Sequence, residues 1–307
     1  TPTLSSAASD VYKRQIMKSV CWFRNDLRVL DNPALHYCCK NSDEVIAVYF
    51  INRVQWQEHD DALIKINFWL RNLELLQNKL EKLNIPLVVL EADNYSKTAS
   101  VLKDFCIKNE VKNLYFNNEY PINELERDRN IYSSFKEDGI GVFTYHDQVI
   151  HEPGSLKTTT GNNFSVYSPF KRKWFAELLE DQLVILNEPE KQESMCVEPT
   201  DLSKYLDEFA HPKSELWPAG EEFIQNYIDE FLKFKGTTYK VKRNFPAIDA
   251  TAKLSPYINT GIVSSKWCLL KAREYNNGLL DDGNKGIVHW VSAVSYTHLT
   301  LPTKVSV

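Results

Sequence analysis

Short apolar runs punctuate the first half of the chain, at Val20–Phe23, Val45–Ile51, Pro86–Leu90, Asn113–Phe116 and Val142–Tyr145. Each has the length and bounding residues of a strand. Between them the apolar positions recur at helical spacing. The clearest case is Asp61–Leu83, with Leu63, Ile66, Leu70, Leu73, Leu76, Leu80 and Leu83 at three- and four-residue steps. That stripe predicts one long amphipathic helix. Ser96–Asn109 and Ile122–Lys136 predict two more. Strand–helix alternation predicts βαβ units, hence a mostly parallel sheet with helices on both faces. Ligands of such sheets bind beyond the carboxyl ends of the strands.

The first strand stops at Arg24-Asn25-Asp26-Leu27-Arg28, a cluster of charges with no glycine to turn on. The preferred reading is that Arg–Asp pairs brace this loop. Asn32 or Asp31 then caps the following helix, with Pro33 at its first position. Direct contact with a ligand in the crevice is the alternative. After His146 the periodicity fades. Residues 147–220 carry Pro and Gly and read as a long connection over the surface, of the kind that is usually functional or disordered. Helical patterns resume at Ala219–Phe234 and Ser264–Tyr275. The character after about residue 200 is all-helical, so a second domain is expected from there.

Composition narrows the function classes. The 307 residues are 43% hydrophobic and 25% charged, ordinary for a globular chain of about two domains. Aromatics reach 12%, which fits either a large core or an aromatic-lined ligand site. All ten glycines lie at or after Gly139. The alternating region therefore lacks the glycine that a dinucleotide fingerprint or a P-loop needs where backbone approaches phosphate. A nicotinamide dehydrogenase and a P-loop NTPase are excluded on that ground. The six cysteines (21, 38, 39, 106, 196 and 268) form no C-x-x-C pair, so reduced, buried thiols in a cytoplasmic protein are expected. No apolar run approaches the roughly 18 residues of a membrane span, and no apolar leader is apparent. Net charge is −5, so any nucleic-acid surface must be local. One stretch qualifies. Lys233–Arg273 holds nine Lys/Arg and a single acid, Asp249, interleaved with Tyr239, Phe245, Tyr257 and Trp267. A solvated face is the plainer reading; binding of phosphate groups is the favoured one.

The two ends are related through the genetic code. One coding of Ser5–Gln15, reverse-complemented and read after two nucleotides, translates as Val-Ser-Tyr-Thr-His-Leu-Thr-Leu-Pro-Thr. That is the sequence of Val294–Thr303. The same DNA is thus expected to flank the gene in both orientations, like a sequencing-library adapter read through as protein. Residues 1–16 and 293–307 are expected to be non-native flanks, with Met17 the native start and Ser292 the last readable native residue. The two leftover nucleotides complete codon 293 as Ala, and the native codon there is open to Glu, Asp, Gly, Val or Ala.

The residues then match a known family. "CWFRNDLRVLDNPAL" (Cys21–Leu35) resembles the opening strand and loop of the DNA photolyase/cryptochrome family. "NNEYPINELERDRN" (Asn117–Asn130) resembles the segment that meets the antenna chromophore, and "YSPFKRKW" (Tyr167–Trp174) the family's linker. "YKVKRNFPAIDATAKLSPYINTGIVS" (Tyr239–Ser264) resembles the first flavin-binding stretch of its helical domain. "HWVS" (His289–Ser292) resembles the start of the next flavin-domain helix, which in the family continues with Glu. The match runs from Met17 to Ser292 in consistent order. It is most similar to the class I, folate-antenna cyclobutane pyrimidine dimer photolyases.

The resemblance implies an α/β, Rossmann-like parallel-sheet antenna domain at 17–146, a linker at 147–200, and an incomplete all-helical FAD-binding domain at 201–292. It implies light-driven repair, in which reduced FAD, excited directly or through a methenyltetrahydrofolate antenna, gives an electron to a pyrimidine dimer and splits its cyclobutane ring. For FAD it carries over Tyr239, Thr251, Ala252, Lys253, Leu254, Ser255 and Trp290. Ala252 stands where many relatives carry Ser, and Lys253 where many carry Arg. One hydroxyl is lost and a bidentate fork becomes a point charge. A plain helix cap at Thr251 or Ser255, and a simple core role for Trp290, stay open. For the folate antenna it carries over Asn123 and Glu124, which read equally as an ordinary first turn of a helix with a favourably placed acid. For DNA it carries over Arg243. No catalytic acid or base and no metal set is expected in this chain. The family's dimer-contacting Glu and relay tryptophans would lie beyond Ser292. Damaged DNA is the implied partner of a monomer, and the chain alone is expected to bind FAD poorly and repair nothing. A cryptochrome, or a stand-alone α/β binding module, remains an alternative.

Overall fold

The computed structural model describes residues 16–178 and 180–296. The flanks inferred from the genetic code lie outside these residues, apart from Ile16 and positions 293–296.

Five parallel strands form one sheet in the order β3-β2-β1-β4-β5: β1 Lys18–Trp22, β2 Glu44–Ile51, β3 Leu87–Glu91, β4 Asn113–Asn117 and β5 Gly141–Tyr145. Each lies within one or two residues of its apolar run. Helices α1 (Pro33–Lys40), α2 (Arg53–Glu58), α3 (Leu63–Lys82), α4 (Tyr95–Lys108) and α5 (Ile122–Glu137) make the crossovers. The predicted leucine stripe is the buried face of α3, with Leu70, Leu73, Leu76 and Leu80 inside. β1 and β2 are buried on both faces, as strands of a sheet covered on both sides must be. Cys21 and Ala47 face a cluster that includes α1 and α3, while Val20, Trp22 and Ile46 face α4 and α5.

Beyond the sheet come α6 (Tyr167–Ala176), α7 (Ser203–Glu208), α8 (Glu221–Phe234), α9 (Tyr239–Lys242), α10 (Ser255–Asn259), α11 (Ser265–Tyr275) and α12 (Lys285–Tyr296). A separate apolar core unites α8, α10, α11 and α12 through Ile224, Ile228, Tyr257, Leu269 and Trp290. Packing interleaves the two units. α6, inside the expected linker, sends Phe170 and Trp174 into the helical core. Leu202 and Tyr205, beside and within α7, pack into the sheet's core instead. The connection before α7 is pinned rather than draped. The Thr200 N–H donates to the Leu87 carbonyl, and the Gln192 side chain bonds both the N–H and the carbonyl of Val45.

The charged loop after β1 is where the two units meet. Asn32 is the cap of α1, its side chain accepting from the Leu35 N–H at 3.1 Å, with Pro33 next in line. Arg28 is buried, paired with Asp147, and also donates to the Gly261 carbonyl of the helical unit. The Leu27 N–H donates to the Thr260 carbonyl, and Lys266 of α11 pairs with buried Asp31 at 2.7 Å. The bracing reading of the loop holds, but its partners come from far along the chain. Four cysteines are buried and two half-buried, none in a disulfide. Among the described residues no helix is long and apolar enough to cross a membrane.

Candidate functional site

Two separate groups of side chains carry the chemistry. The first lies beyond the carboxyl ends of β2, β3 and β4. His59 caps the end of α2, Tyr95 begins α4, and Asn123 and Glu124 sit in the first turn of α5. The structure brings these four together with Gln55. The Gln55 amide nitrogen is 2.7 Å from His59 Nε2, and the Asn123 amide nitrogen is 3.3 Å from the same atom. The Tyr95 hydroxyl reaches Glu124 Oε1 at 3.4 Å, and its ring meets the His59 imidazole edge-on. Asn123 and Glu124 are therefore members of a polar cluster and not merely a helix's first turn. Sequence reasoning missed His59, Gln55 and Tyr95. Each is a single polar or aromatic residue at a helix end, where periodicity carries no signal.

The floor beneath this group is ionic. Arg127 of α5 is buried, donates to Glu119 at 2.7 Å, and lies over the rings of Trp22 and Tyr95. Arg24 binds Asp128 at 2.8 Å, donates to the Asn117 carbonyl, and covers Trp22 and Phe116. Burial pushes the Glu119 carboxyl up, but Arg24 and Arg127 more than offset it and hold it below its ordinary value. Asp26, accepting from the Arg24 N–H and the Asn117 amide, is raised to about 6, chiefly by burial. These side chains fill the point between β1 and β4 where the strand order reverses, the usual ligand crevice of such sheets. What stays open to a ligand is the rim above, at His59, Asn123 and Glu124.

The second group lies in the helical unit. Tyr239 and Trp290 are buried on either side of Phe231, with ring centroids 5.8 and 5.9 Å from it. Ala252 and Leu254 enter the same apolar core. Thr251, Lys253 and Ser255 are exposed. Lys253 adopts a left-handed backbone (φ +48°), and its ammonium pairs with Asp249, which also binds Lys235. Among the described residues, none of the five N–H groups from Thr251 to Ser255 has a protein acceptor. Consecutive unpaired backbone donors beside a left-handed residue are the kind of group that can bind an anion. Ser255 also borders a hollow of about 300 Å³ between α3 and α10, walled by Phe68, Trp69 and Trp217.

Arg243 lies over the Tyr239 ring at 5.5 Å. It belongs to the basic run Lys233–Arg273 already legible in the sequence. His289 of α12 is held below its ordinary value by burial and then by Arg243, Lys240 and Lys171. Lys171, from the linker-like "YSPFKRKW", is thus within electrostatic reach of His289, as are Arg243 and Lys240. Of the basic run, Lys235, Lys253, Lys266 and Lys271 are paired with acids. Lys240, Lys242 and Arg243 are exposed and have no carboxylate partner among the described residues. Ion pairing accounts for the first set, and the second is open to solvent or to phosphate.

Comparison with known proteins gives the family. The family model for DNA photolyase matches residues 19–191. A deoxyribodipyrimidine photo-lyase of Buchnera aphidicola is 33% identical over 271 residues, covering 86% of this chain and 55% of the relative. The Escherichia coli protein of the same name is 29% identical over 268 residues, covering 85% and 55%. A bacterial class III photolyase structure from Agrobacterium tumefaciens superposes with a TM-score of 0.79 at 24% identity, over 97% of this chain and 61% of that one. The last of these is a likeness of fold. The chain belongs to the DNA photolyase family, and it spans about half the length of the curated relatives it matches.

Proposed function

We propose that the gene encodes a cytoplasmic, monomeric photolyase that repairs cyclobutane pyrimidine dimers in DNA under light. This chain is its light-collecting α/β unit (17–146), its connection (147–200) and the opening of its FAD-holding helical unit (201–292). The observation that carries the reading is the run of unpaired N–H groups at Thr251–Ser255, set against the Tyr239–Phe231–Trp290 aromatics.

That run fits the pyrophosphate of FAD, since successive backbone donors bind phosphate without a lysine or glycine loop. Lys253 adds charge nearby, tempered by Asp249. Tyr239 and Trp290 supply apolar walls for an aromatic ring system. Reduced FAD, when bound, supplies the light-driven electron that splits the dimer. The exposed cations Lys240, Lys242 and Arg243 meet the DNA phosphates, with Lys171, which also acts on His289, adding to them. A damaged base pairs poorly and leaves the stack at reduced cost. Asn123 and Glu124 hold the folate antenna, methenyltetrahydrofolate, through acceptors suited to a pterin's N–H groups. Free, largely buried thiols support a reducing compartment.

The test uses the full-length gene product, purified with its flavin and given a dimer-containing oligonucleotide. Repair that needs light is expected. Bound flavin with no repair in light would leave a cryptochrome, and no flavin at all would sink the family activity. The 307-residue chain by itself is expected to bind FAD poorly and repair nothing; stoichiometric flavin with light-dependent repair from it would overturn that part.

A further inference from the structure

We propose that Tyr120 is a redox-active tyrosine, which gives one electron to a photo-generated oxidant while its hydroxyl proton passes to His146. The inference goes beyond the repair reading and does not depend on it.

Two strand ends hold the pair. β4 and β5 lie in register at Asn117 and Tyr145, and the Asn118 N–H donates to the Tyr145 carbonyl at 2.7 Å. Tyr120 follows the first strand and His146 the second, so the end of the sheet brings them together. The Tyr120 hydroxyl lies 2.9 Å from His146 Nδ1. On the other side of the imidazole, Glu152 Oε1 stands 3.5 Å from Nε2. A carboxylate only accepts, so it draws the ring proton to Nε2 and leaves Nδ1 as a lone pair. The Tyr120 hydroxyl is then the donor. The order is that of a hydroxyl, its base and an orienting acid, with a phenol in first place.

Other tyrosine hydroxyls are placed differently. Those of Tyr95 and Tyr205 meet the carboxylates of Glu124 and Glu91, and that of Tyr257 meets a backbone carbonyl. A carboxylate is a weaker base than an imidazole by about two pK units. Burial first, then Asp147 and Glu152, push the Tyr120 phenol above its ordinary value, so it stays neutral until it is oxidised.

The step balances. Tyr120 loses one electron to an excited chromophore or another one-electron oxidant, which is reduced by one electron. The hydroxyl proton crosses to His146 Nδ1. A neutral phenoxyl radical is left beside an imidazolium that faces Glu152. Without the base, electron loss would leave a half-buried radical cation, which desolvation penalises. When the electron returns from the reduced oxidant, the proton returns from His146. An oxidising equivalent made by light is thereby held at one reversible place.

The experiment photo-oxidises the 307-residue chain with tris(bipyridine)ruthenium and persulfate in the presence of a nitrone spin trap, and maps the trapped tyrosines by peptide mass spectrometry. No flavin is used, so the outcome is separate from that of the repair test. Tyr132 of α5, 54% exposed, is the internal reference. An adduct on Tyr120 is expected although this residue is half-buried. His146→Ala should lower the Tyr120-to-Tyr132 adduct ratio about tenfold, a modest share of what a positioned base contributes. Free imidazole added to that variant should restore part of the ratio. No adduct on Tyr120 in the unaltered chain, or a ratio indifferent to His146→Ala, overturns the inference. A ratio that falls and is not recovered by imidazole overturns it too, since the loss is then structural.

Discussion

Asp26 shows how burial sets the behaviour of one residue. Its carboxyl is fully enclosed and raised to about 6, first by burial, with the Arg24 N–H opposing and Asp147 reinforcing. The folded pKa lies above the unfolded value, so the native state takes up the proton first as pH falls. This group therefore adds stability as pH drops from 7 towards 4 and withdraws it as pH rises through 6. Between pH 7 and pH 5 the gain is about 1 kcal/mol. Asp26→Asn should remove that increment, seen as the difference in urea midpoints between the two pH values for both proteins. Equal differences would show that Asp26 titrates like any exposed carboxylate. Arg127 gives a second case. It is the closest cation to buried Glu119, at 2.7 Å, and Arg24 stands a full ångström further, at 3.7 Å. Arg127→Met should cost about 3 kcal/mol in equilibrium unfolding, because a buried charge loses its main partner. Adding Glu119→Gln should recover part of it, and a single-variant loss under about 1 kcal/mol would mean that Arg24 suffices. Local chemistry was legible here. Asn32 and Pro33 announce a cap from their types and order alone. The partners of Arg24 and Arg28 were not, since Asp128 and Asp147 stand more than a hundred residues away and nothing short-range couples them.

Between elements, glycine marks where backbones touch. Gly261 turns out of α10 with φ +68°, and a Cβ there would collide with the Asn25 carbonyl and Asp26 Cα of the β1 loop. Gly278 has a similar φ of +84° with open space around it. The pair separates two costs. Gly278→Ala should lose about 1 kcal/mol from backbone strain alone. Gly261→Ala should lose about 3 kcal/mol or more, because strain is joined by a clash with backbone that cannot step aside. Thermal unfolding of both variants checks this, and similar losses would mean that the seam between the units yields easily. The strands and α3 could be read in advance because each buries a face of regular period. α6 could not. Only Phe170 and Trp174 of its ten residues are buried, and the cations around them read as linker. α7 was assigned to the helical unit by its place in the chain, whereas Leu202 and Tyr205 find the sheet's core through pairing that sequence does not display.

The whole molecule is acidic, yet Lys240, Lys242 and Arg243 of the helical unit stand exposed with no carboxylate partner among the described residues. Net charge is −5, so long-range attraction cannot bring DNA to it indiscriminately. On the proposed repair reading, the part of the DNA surface carried by this chain is the local patch of Lys171, Lys240, Lys242 and Arg243. Each cation that neutralises one DNA phosphate releases condensed counterions, so affinity falls linearly on a log–log plot against salt. Arg243→Gln in the full-length protein should weaken binding to damaged and undamaged duplex alike and reduce the salt slope by about 1. Lys266→Gln makes the contrast. That ammonium is committed to Asp31 at 2.7 Å, so the slope should stay unchanged while the seam loosens. Lys171→Gln distinguishes the structure from the sequence pattern. If α6 shares the proposed DNA-facing side, this linker residue lowers the slope as Arg243 does. If the slope is indifferent to Lys171, the DNA track is confined to the stretch after Tyr239, and α6 only supports the core beneath it.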